Sequence, residues 1–268
     1  MKVLFFGDVV GLHGVAAIEA KLPQLIRQYD VDFVIANGEN ISKGMGLFYK
    51  DYERLVRAGA ECVTLGNHYH DKGEIDDYID EVDRLVRPAN LMHYDKGEGY
   101  LSYDFGDCEL IVVNMMGKAF LKEEVSSDIL KMEEIIADHP DAIFFVDYHG
   151  EATSEKAMFA HYFDGQVAAV VGTHTHVQTA DGRLLPKGTA FISDVGYCGL
   201  AESILGFVPE SVINTWIFGN GHFQMDEKAD ARLNAVVVDI DETTKVARSI
   251  QTLNVFVKKE ELHAPENL

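Results

Sequence analysis

Val167-Ala168-Ala169-Val170-Val171-Gly172-Thr173-His174-Thr175-His176 is the stretch from which the fold follows. Residues 167–171 are an apolar run with the length and composition of a buried strand, and it leads into a glycine and two histidines spaced i, i+2. On extended backbone, side chains two apart point the same way, so both imidazoles can face one spot, as a metal site requires. The glycine ahead of the first histidine is expected to turn the chain sharply out of the sheet, leaving both rings at its rim. Alone, an HxH pair reads more readily as two solvated polar residues of a loop. Its weight comes from four other strand-like runs that end in the same kinds of residue.

Residues 3–6 close on Gly7-Asp8, residues 31–36 on Asn37-Gly38-Glu39-Asn40, residues 62–65 on Gly66-Asn67-His68, and residues 142–146 on Asp147-Tyr148-His149. Helical spacing over 15–29, around Tyr52 and Val56, and over 74–86 gives the order β, α, β, α, β, α. That order predicts a parallel α/β sheet with ligands at the carboxyl ends of its strands. Residues 100–105 and 110–115, joined at Gly106-Asp107, predict a hairpin that makes the sheet mixed. Helices over 127–137 and 153–163, a strand over 190–194 and an antiparallel pair through 235–238 and 253–257 follow. Residues 196–233 are too mixed in composition to assign, and 258–268 are charged enough to predict a solvated tail. With no repeat and no Pro/Ser linker, one domain over 1–268 is expected.

The formal charge is −21, from 44 acidic and 23 basic side chains, so no broad positive face exists for nucleic-acid phosphates or anionic lipid. A phosphate ligand must then be held by local positive charge, which carboxylates and histidines provide by binding divalent cations. Cys62, Cys108 and Cys198 form neither a paired framework nor a CxxC zinc signature, which fits a reducing compartment. The N-terminal apolar run is too short for a signal peptide and no stretch has transmembrane length, so a cytoplasmic protein is expected. Neither GxSxG nor GxxxxGK[ST] occurs, which disfavours a serine hydrolase and a P-loop NTPase.

The strand ends together collect Asp8, Glu39, Asn40, Asn67, His68, His149, His174 and His176. Carboxylate, amide and imidazole are the ligand set of Mn²⁺, Fe²⁺ or Zn²⁺, whereas Ca²⁺ takes oxygen alone and structural zinc prefers thiolate. So many ligands exceed the need of one tetrahedral ion. Two ions about 3.5–4 Å apart, bridged by one carboxylate, would use them all.

In their order along the chain, Asp8 in GDVVG, Gly66-Asn67-His68, His149 and Gly172-x-His174-x-His176 resemble the calcineurin-type metallophosphoesterase superfamily. With Ala36-Asn37-Gly38-Glu39-Asn40, the run from His149 to Lys156 and the run from Val171 to Asp181, the chain is more narrowly similar to the bacterial YmdB-type branch, over nearly its whole length. The resemblance implies a four-layer α/β/β/α sandwich with mixed sheets, and a phosphodiesterase acting on cyclic nucleotides, the 2′,3′ and also the 3′,5′ kinds. It implies that Asp8, Glu39, Asn40 and His176 hold one metal while Glu39, Asn67, His149 and His174 hold the other, iron or manganese fitting best and zinc being admissible. A metal-activated hydroxide would attack phosphorus, with His68 as general acid on the leaving oxygen or as donor to the developing charge, and Asp71 as a candidate to hold its ring.

Departures from the pattern matter as well. Val10 stands where the superfamily's first motif has a histidine, Glu39 replaces the usual bridging aspartate, and His70 occupies a position at the pocket rim where the branch usually has tryptophan. The expected partner is a small phosphodiester, with no membrane, no extended nucleic-acid surface, and assembly as a homo-oligomer. Glu151 and Lys156 are expected behind the ligands or at the surface, and His13, His93, His139, His161, His222 and His263 are read as non-ligands for want of strand-end context. Competing readings are a phosphomonoesterase, such as a nucleotidase or protein phosphatase, and a non-catalytic regulator that binds a nucleotide or a partner and uses metal only structurally.

Overall fold

Each strand-like run of the sequence pairs with neighbours in the computed structural model, which describes residues 1–219 and 221–262. The strands are β1 (Lys2–Phe6), β2 (Asp8–Val9), β3 (Phe33–Asn37), β4 (Cys62–Thr64), β5 (Leu85–Val86), β6 (Tyr100–Asp104) and β7 (Glu109–Met116). They continue as β8 (Ile143–His149), β9 (Ala169–Thr173), β10 (Arg183–Leu184), β11 (Ala190–Ile192), β12 (Tyr197–Leu200), β13 (Ala231–Ile240) and β14 (Ala247–Val257). The helices are α1 (Gly11–Tyr29), α2 (Tyr49–Ala58), α3 (Ile75–Tyr78), α4 (Asp128–Asp138), α5 (Thr153–Tyr162) and α6 (Pro209–Phe218).

Two sheets form, where β/α alternation by itself suggested one. The first runs β2-β12-β13-β1-β3-β4-β5, with β14 also on β13, and the second runs β10-β11-β9-β8-β7-β6. Both are mixed: β1, β3, β4 and β5 are mutually parallel while β13 is antiparallel to β1, and β6 and β10 edge the parallel β7-β8-β9-β11 core. The hairpin at Gly106 thus opens the second sheet and does not extend the first.

Apolar residues on both faces of each central strand explain the layering, because each sheet must be covered twice. Val3, Phe5, Phe33 and Ile35 of the first sheet meet Val112, Phe145, Val171 and Ile192 of the second, with the Phe5 and Phe145 rings stacked at 5.8 Å. On the outer face of the first sheet, Leu4, Phe6 and Val34 pack with Val15, Ile18 and Leu22 of α1 and Leu55 of α2. Val146 and Val170 pack outward with Met132 and Ile135 of α4 and Phe159 of α5. The result is the expected α/β/β/α sandwich, and no helix among the described residues is long and apolar enough to cross a membrane.

One local expectation is corrected, and two further stretches gain detail. The helix expected over 74–86 survives only as α3, because Asp76 with Asp80 and Asp77 with Glu81 would stack like charges four residues apart. Asp76 instead accepts from His70 and Tyr94, Asp80 accepts from the Gly97 amide, and Leu85–Val86 joins the first sheet as β5. The unassigned stretch 196–233 holds β12, α6 and the start of β13. Of the expected tail, residues 258–262 are tethered: Lys258 pairs with Asp230 at 3.2 Å, Glu261 pairs with Lys21, and Leu262 packs on the core. The remainder, 263–268 with His263, lies outside the described residues.

A candidate metal centre between the two sheets

The carboxyl ends of β1, β3 and β4 in one sheet and of β8 and β9 in the other arrive at the same edge of the sandwich. Asp8, Glu39, Asn40 and His149 are each at most 2% exposed there. Their polar atoms gather in two groups. In the first, His149 Nε2 lies 2.8 Å from Asn67 Oδ1, 3.0 Å from Glu39 Oε1 and 3.1 Å from His174 Nδ1. In the second, Asn40 Nδ2 lies 3.3 Å from Asp8 Oδ1, 3.3 Å from Glu39 Oε1 and 3.2 Å from His176 Nε2. Glu39 Oε1 belongs to both groups. Every ligand candidate named from the sequence is therefore brought to one place, in the same two sets.

Hydrogen bonding at the far side of each imidazole fixes what faces inward. Thr173 Oγ1 donates to Asp147 Oδ1 at 2.7 Å, so it accepts from His149 Nδ1 at 2.9 Å and leaves Nε2 pointing at the cluster. His174 Nε2 donates to Glu151 at 3.0 Å and His176 Nδ1 donates to the Leu205 carbonyl at 3.1 Å, which likewise turns the other ring nitrogen inward. An imidazole anchored by its outer N–H and presenting its inner lone pair is the arrangement of metal-ligating histidines. A single ring nitrogen can give one proton to one of the three acceptors around His149 Nε2, whereas a cation can satisfy all of them. The donor set fits a metal ion in each group, with Asn40 contributing its amide oxygen after a half-turn of the side-chain amide.

The charge balance points the same way. Burial favours neutral Asp8 and Glu39, but the adjacent imidazoles, His176 and His149 for Asp8 and His149 for Glu39, outweigh it and hold both carboxyls below their ordinary range. Burial should also depress His149, yet Glu39 and Asp8 carry it up to about 9. Burial, and then the charge of His149, push His174 down to about 4. In the metal-free protein a second proton on His149 thus occupies the place a cation would take.

The HxH element reaches this geometry by a route other than the expected one. His174 and His176 are not on extended backbone but at φ 107° and 60°, in the left-handed region that non-glycine residues enter at a cost. Gly172 does not supply the turn. It lies inside β9, where a Cβ would meet the Ser193 carbonyl at 1.8 Å, so its role is close packing of β9 against the end of β11. The loop is held from behind by Lys156, as one of its two expected placements had it, by Asp8, and by Asp194, which the sequence did not single out. Lys156 Nζ donates to the Thr173 carbonyl at 2.7 Å and to Asp194 Oδ2 at 3.0 Å, Asp194 accepts from the Thr175 amide at 2.9 Å, and Asp8 accepts from the His174 amide at 3.1 Å. Lys156 is only 1% exposed, which excludes a surface role for it.

Asp147, which sequence reasoning missed, is buried among Thr64 Oγ1 at 2.5 Å, Asn37 Nδ2 at 3.0 Å and Thr173, and burial raises its carboxyl to about 6. An acid inside the apolar run of β8 was the available signal. Gly66 is needed because a Cβ there would meet the His149 ring at 2.4 Å. His68 donates its amide to Glu39 Oε2 at 2.8 Å, and its ring Nδ1 is 2.7 Å from Asp71 Oδ2, leaving Nε2 free. His70 is turned away from the cavity, bonded to Asp76 at 2.9 Å and set edge-on to Tyr94, so it does not form the rim expected of it.

A cavity of about 770 Å³ opens over the cluster. His68, Glu39, His174 and His176 form its floor, and Lys43, Phe207, His222 and Phe223 are among its walls. His222, read as a non-ligand, thus joins the cavity without joining the cluster. The walls come largely from 205–223, the part of the chain least legible in the sequence.

A family model described as YmdB-like protein matches residues 4–253. A 2′,3′-cyclic-nucleotide 2′-phosphodiesterase of Bacillus subtilis (strain 168) is 43% identical over 255 residues, covering 94% of this chain and 96% of that protein. A crystal structure from Mycoplasma pneumoniae, described as a novel phosphatase, superposes with a TM-score of 0.89 at 36% identity, covering 96% of this chain and 94% of that one. Another, described as a hypothetical protein from Thermus thermophilus, gives 0.88 at 35% identity over 96% and 100% of the two chains. With a buried acid and imidazole cluster at the strand ends and relatives matched along almost their full length, the chain belongs to the YmdB-like protein family.

Proposed function

We propose that this chain is a metal-dependent phosphodiesterase that opens 2′,3′-cyclic nucleotides, with 3′,5′-cyclic nucleotides as further substrates. The observation that carries it is the pair of ligand groups sharing Glu39 Oε1 beneath an open cavity whose floor includes His68. Asp8, Glu39, Asn40 and His176 would hold one ion and Glu39, Asn67, His149 and His174 the other, iron or manganese being favoured by the oxygen-rich first set. When bound, two such ions supply Lewis-acid activation of water and neutralise charge on the phosphoryl oxygens.

The protein's own groups do the rest. Asp71 anchors His68 at Nδ1 and so orients Nε2, from which a proton would pass to the leaving ribose oxygen as the bond from water oxygen to phosphorus forms and the ester bond breaks. Holding His68 by its amide to Glu39 fixes the distance between proton donor and cluster. Lys43 offers positive charge at the cavity wall, which an otherwise acidic chain needs for an anionic substrate.

The three thiols are all free, in keeping with a reducing, cytoplasmic setting. Exposed Ile213, Trp216, Ile217 and Phe218 on and beside the outer face of α6 support a homo-oligomer, which light scattering would check. The function is tested by loading the protein with Mn²⁺ or Fe²⁺ and comparing 2′,3′-cyclic AMP with phosphomonoesters. The diester is expected to be preferred, and His68→Ala to lose about 10²–10⁴-fold in kcat while keeping its metal. Preference for monoesters, or full activity of His68→Ala, would overturn it.

A further inference from the structure

A second cavity, of about 370 Å³, lies beside the first and shares Lys43 and Phe223 with it as common wall. The two are one residue apart along the chain: Asn40 faces the metal cluster and Ile41 faces the second cavity. Phe48 and Lys50 line it, and the ammonium groups of Lys50 and Lys72 stand 5.9 and 5.7 Å from the centre of the Phe48 ring. Lys43, Lys50 and Lys72 have no carboxylate partner among the described residues, as is also true of Lys96, Lys118, Lys122, Lys187, Lys228 and Lys259, but these three gather around one cavity and its Phe48 ring. Two acids share the lining, the buried Asp51, which accepts from the Ser42 hydroxyl at 2.6 Å, and the exposed Glu227. Lys43 also sits at φ 61°, a conformation non-glycine residues keep only where the surroundings impose it, and one that recurs at ligand clamps.

Two unpaired ammonium groups beside an aromatic ring, with Lys43 lining the same cavity, are in a chain of charge −21 a local combination suited to a phosphate and a base. Lysines that track a sugar-phosphate backbone and an aromatic face that takes a base are how single-stranded nucleic acid is held. A cyclic mononucleotide has one phosphate, which the metal cluster takes, and so would leave this second site unused. We propose that the substrate is the 3′ end of an oligonucleotide carrying a terminal 2′,3′-cyclic phosphate, with the preceding nucleotide seated in the second cavity between Lys43, Phe48 and Lys50. This rests on the phosphodiesterase reading above. The chemistry is unchanged: water oxygen bonds to phosphorus, one ribose oxygen leaves it, and that oxygen takes up the proton.

The test compares kcat/KM on 2′,3′-cyclic AMP with that on adenylyl-adenosine 2′,3′-cyclic phosphate, using the Mn²⁺-loaded full chain. The dinucleotide is expected to be favoured about tenfold, chiefly through KM, with the advantage shrinking as salt rises. Lys50→Ala, which lies outside the metal cavity, should leave turnover of the mononucleotide unchanged and remove most of that preference. Equal kcat/KM on the two substrates, or an equal loss on both in Lys50→Ala, would overturn the proposal while leaving the phosphodiesterase reading intact. Hydrolysis of neither substrate by metal-loaded protein would instead refute that reading, and this proposal with it.

Discussion

Replacing Lys156 by methionine removes one charge from a pair that is almost wholly buried, and does so with little change in volume. The lost ammonium leaves the Thr173 carbonyl without its 2.7 Å donor and Asp194 without its counter-charge at 3.0 Å. Stripping one partner from a buried ion pair costs about 3–5 kcal/mol. Asp194 keeps the amides of Thr175 and Gly196, and methionine adds apolar packing, so the lower end, about 3 kcal/mol, is expected. At about 2–4 °C per kcal/mol for a chain of this size, Tm should fall by about 6–12 °C in calorimetry of the metal-free protein. A second effect separates support of the loop from mere stability. Because the pair pins the peptides on both sides of His174, Mn²⁺ affinity by titration calorimetry should drop about 10–100-fold. The neutral double variant Lys156→Met/Asp194→Asn should regain much of the lost Tm but not the Mn²⁺ affinity. Wild-type affinity in either variant would refute the role given to the clamp.

Thr173→Val keeps the shape of β9 but removes the hydroxyl between His149 and Asp147, leaving two buried polar groups unpartnered. Stability should fall by about 1–3 kcal/mol and Mn²⁺ affinity about 10–100-fold, and unchanged affinity would show that the hydroxyl does not orient the ring. For pH, the His149 pKa rises on folding from 6.5 to about 9, so its contribution is full below pH 6.5 and is lost as pH climbs through 9. The metal-free protein should therefore lose stability over pH 6.5–9, and saturating Mn²⁺, which takes the proton's place, should flatten that decline. Identical pH profiles with and without Mn²⁺ would contradict this.

The architecture was legible where strands were apolar throughout and ended in chemistry. Asp8, Glu39, Asn67 and His149 each follow such a run, and the fold brings all of them to one edge. The division into two sheets was not legible from alternation, because a hairpin that extends a sheet and one that starts another have the same local pattern. The reach of α3 was misjudged because apolar spacing at 75, 79, 82 and 85 was outweighed by a run of acids that bond elsewhere. Asp194 follows an apolar run as Asp8 does, but what distinguishes it is Lys156, 38 residues away and visible only in three dimensions. The left-handed backbone at His174 and His176 had no sequence signal, since neither glycine nor asparagine stands at either position. The stretch 196–233 builds much of the cavity wall, and its shape depends on partners elsewhere in the chain more than on its own periodicity.

Metal analysis of the purified chain, joined to a crystal structure with anomalous scattering from Mn²⁺, bears most directly on the centre. The expected result is two ions per chain about 3.5–4 Å apart, bridged by Glu39, with His149 and His174 on one and Asp8 and His176 on the other. A single ion at saturation, or a second ion bound away from Glu39, would contradict it.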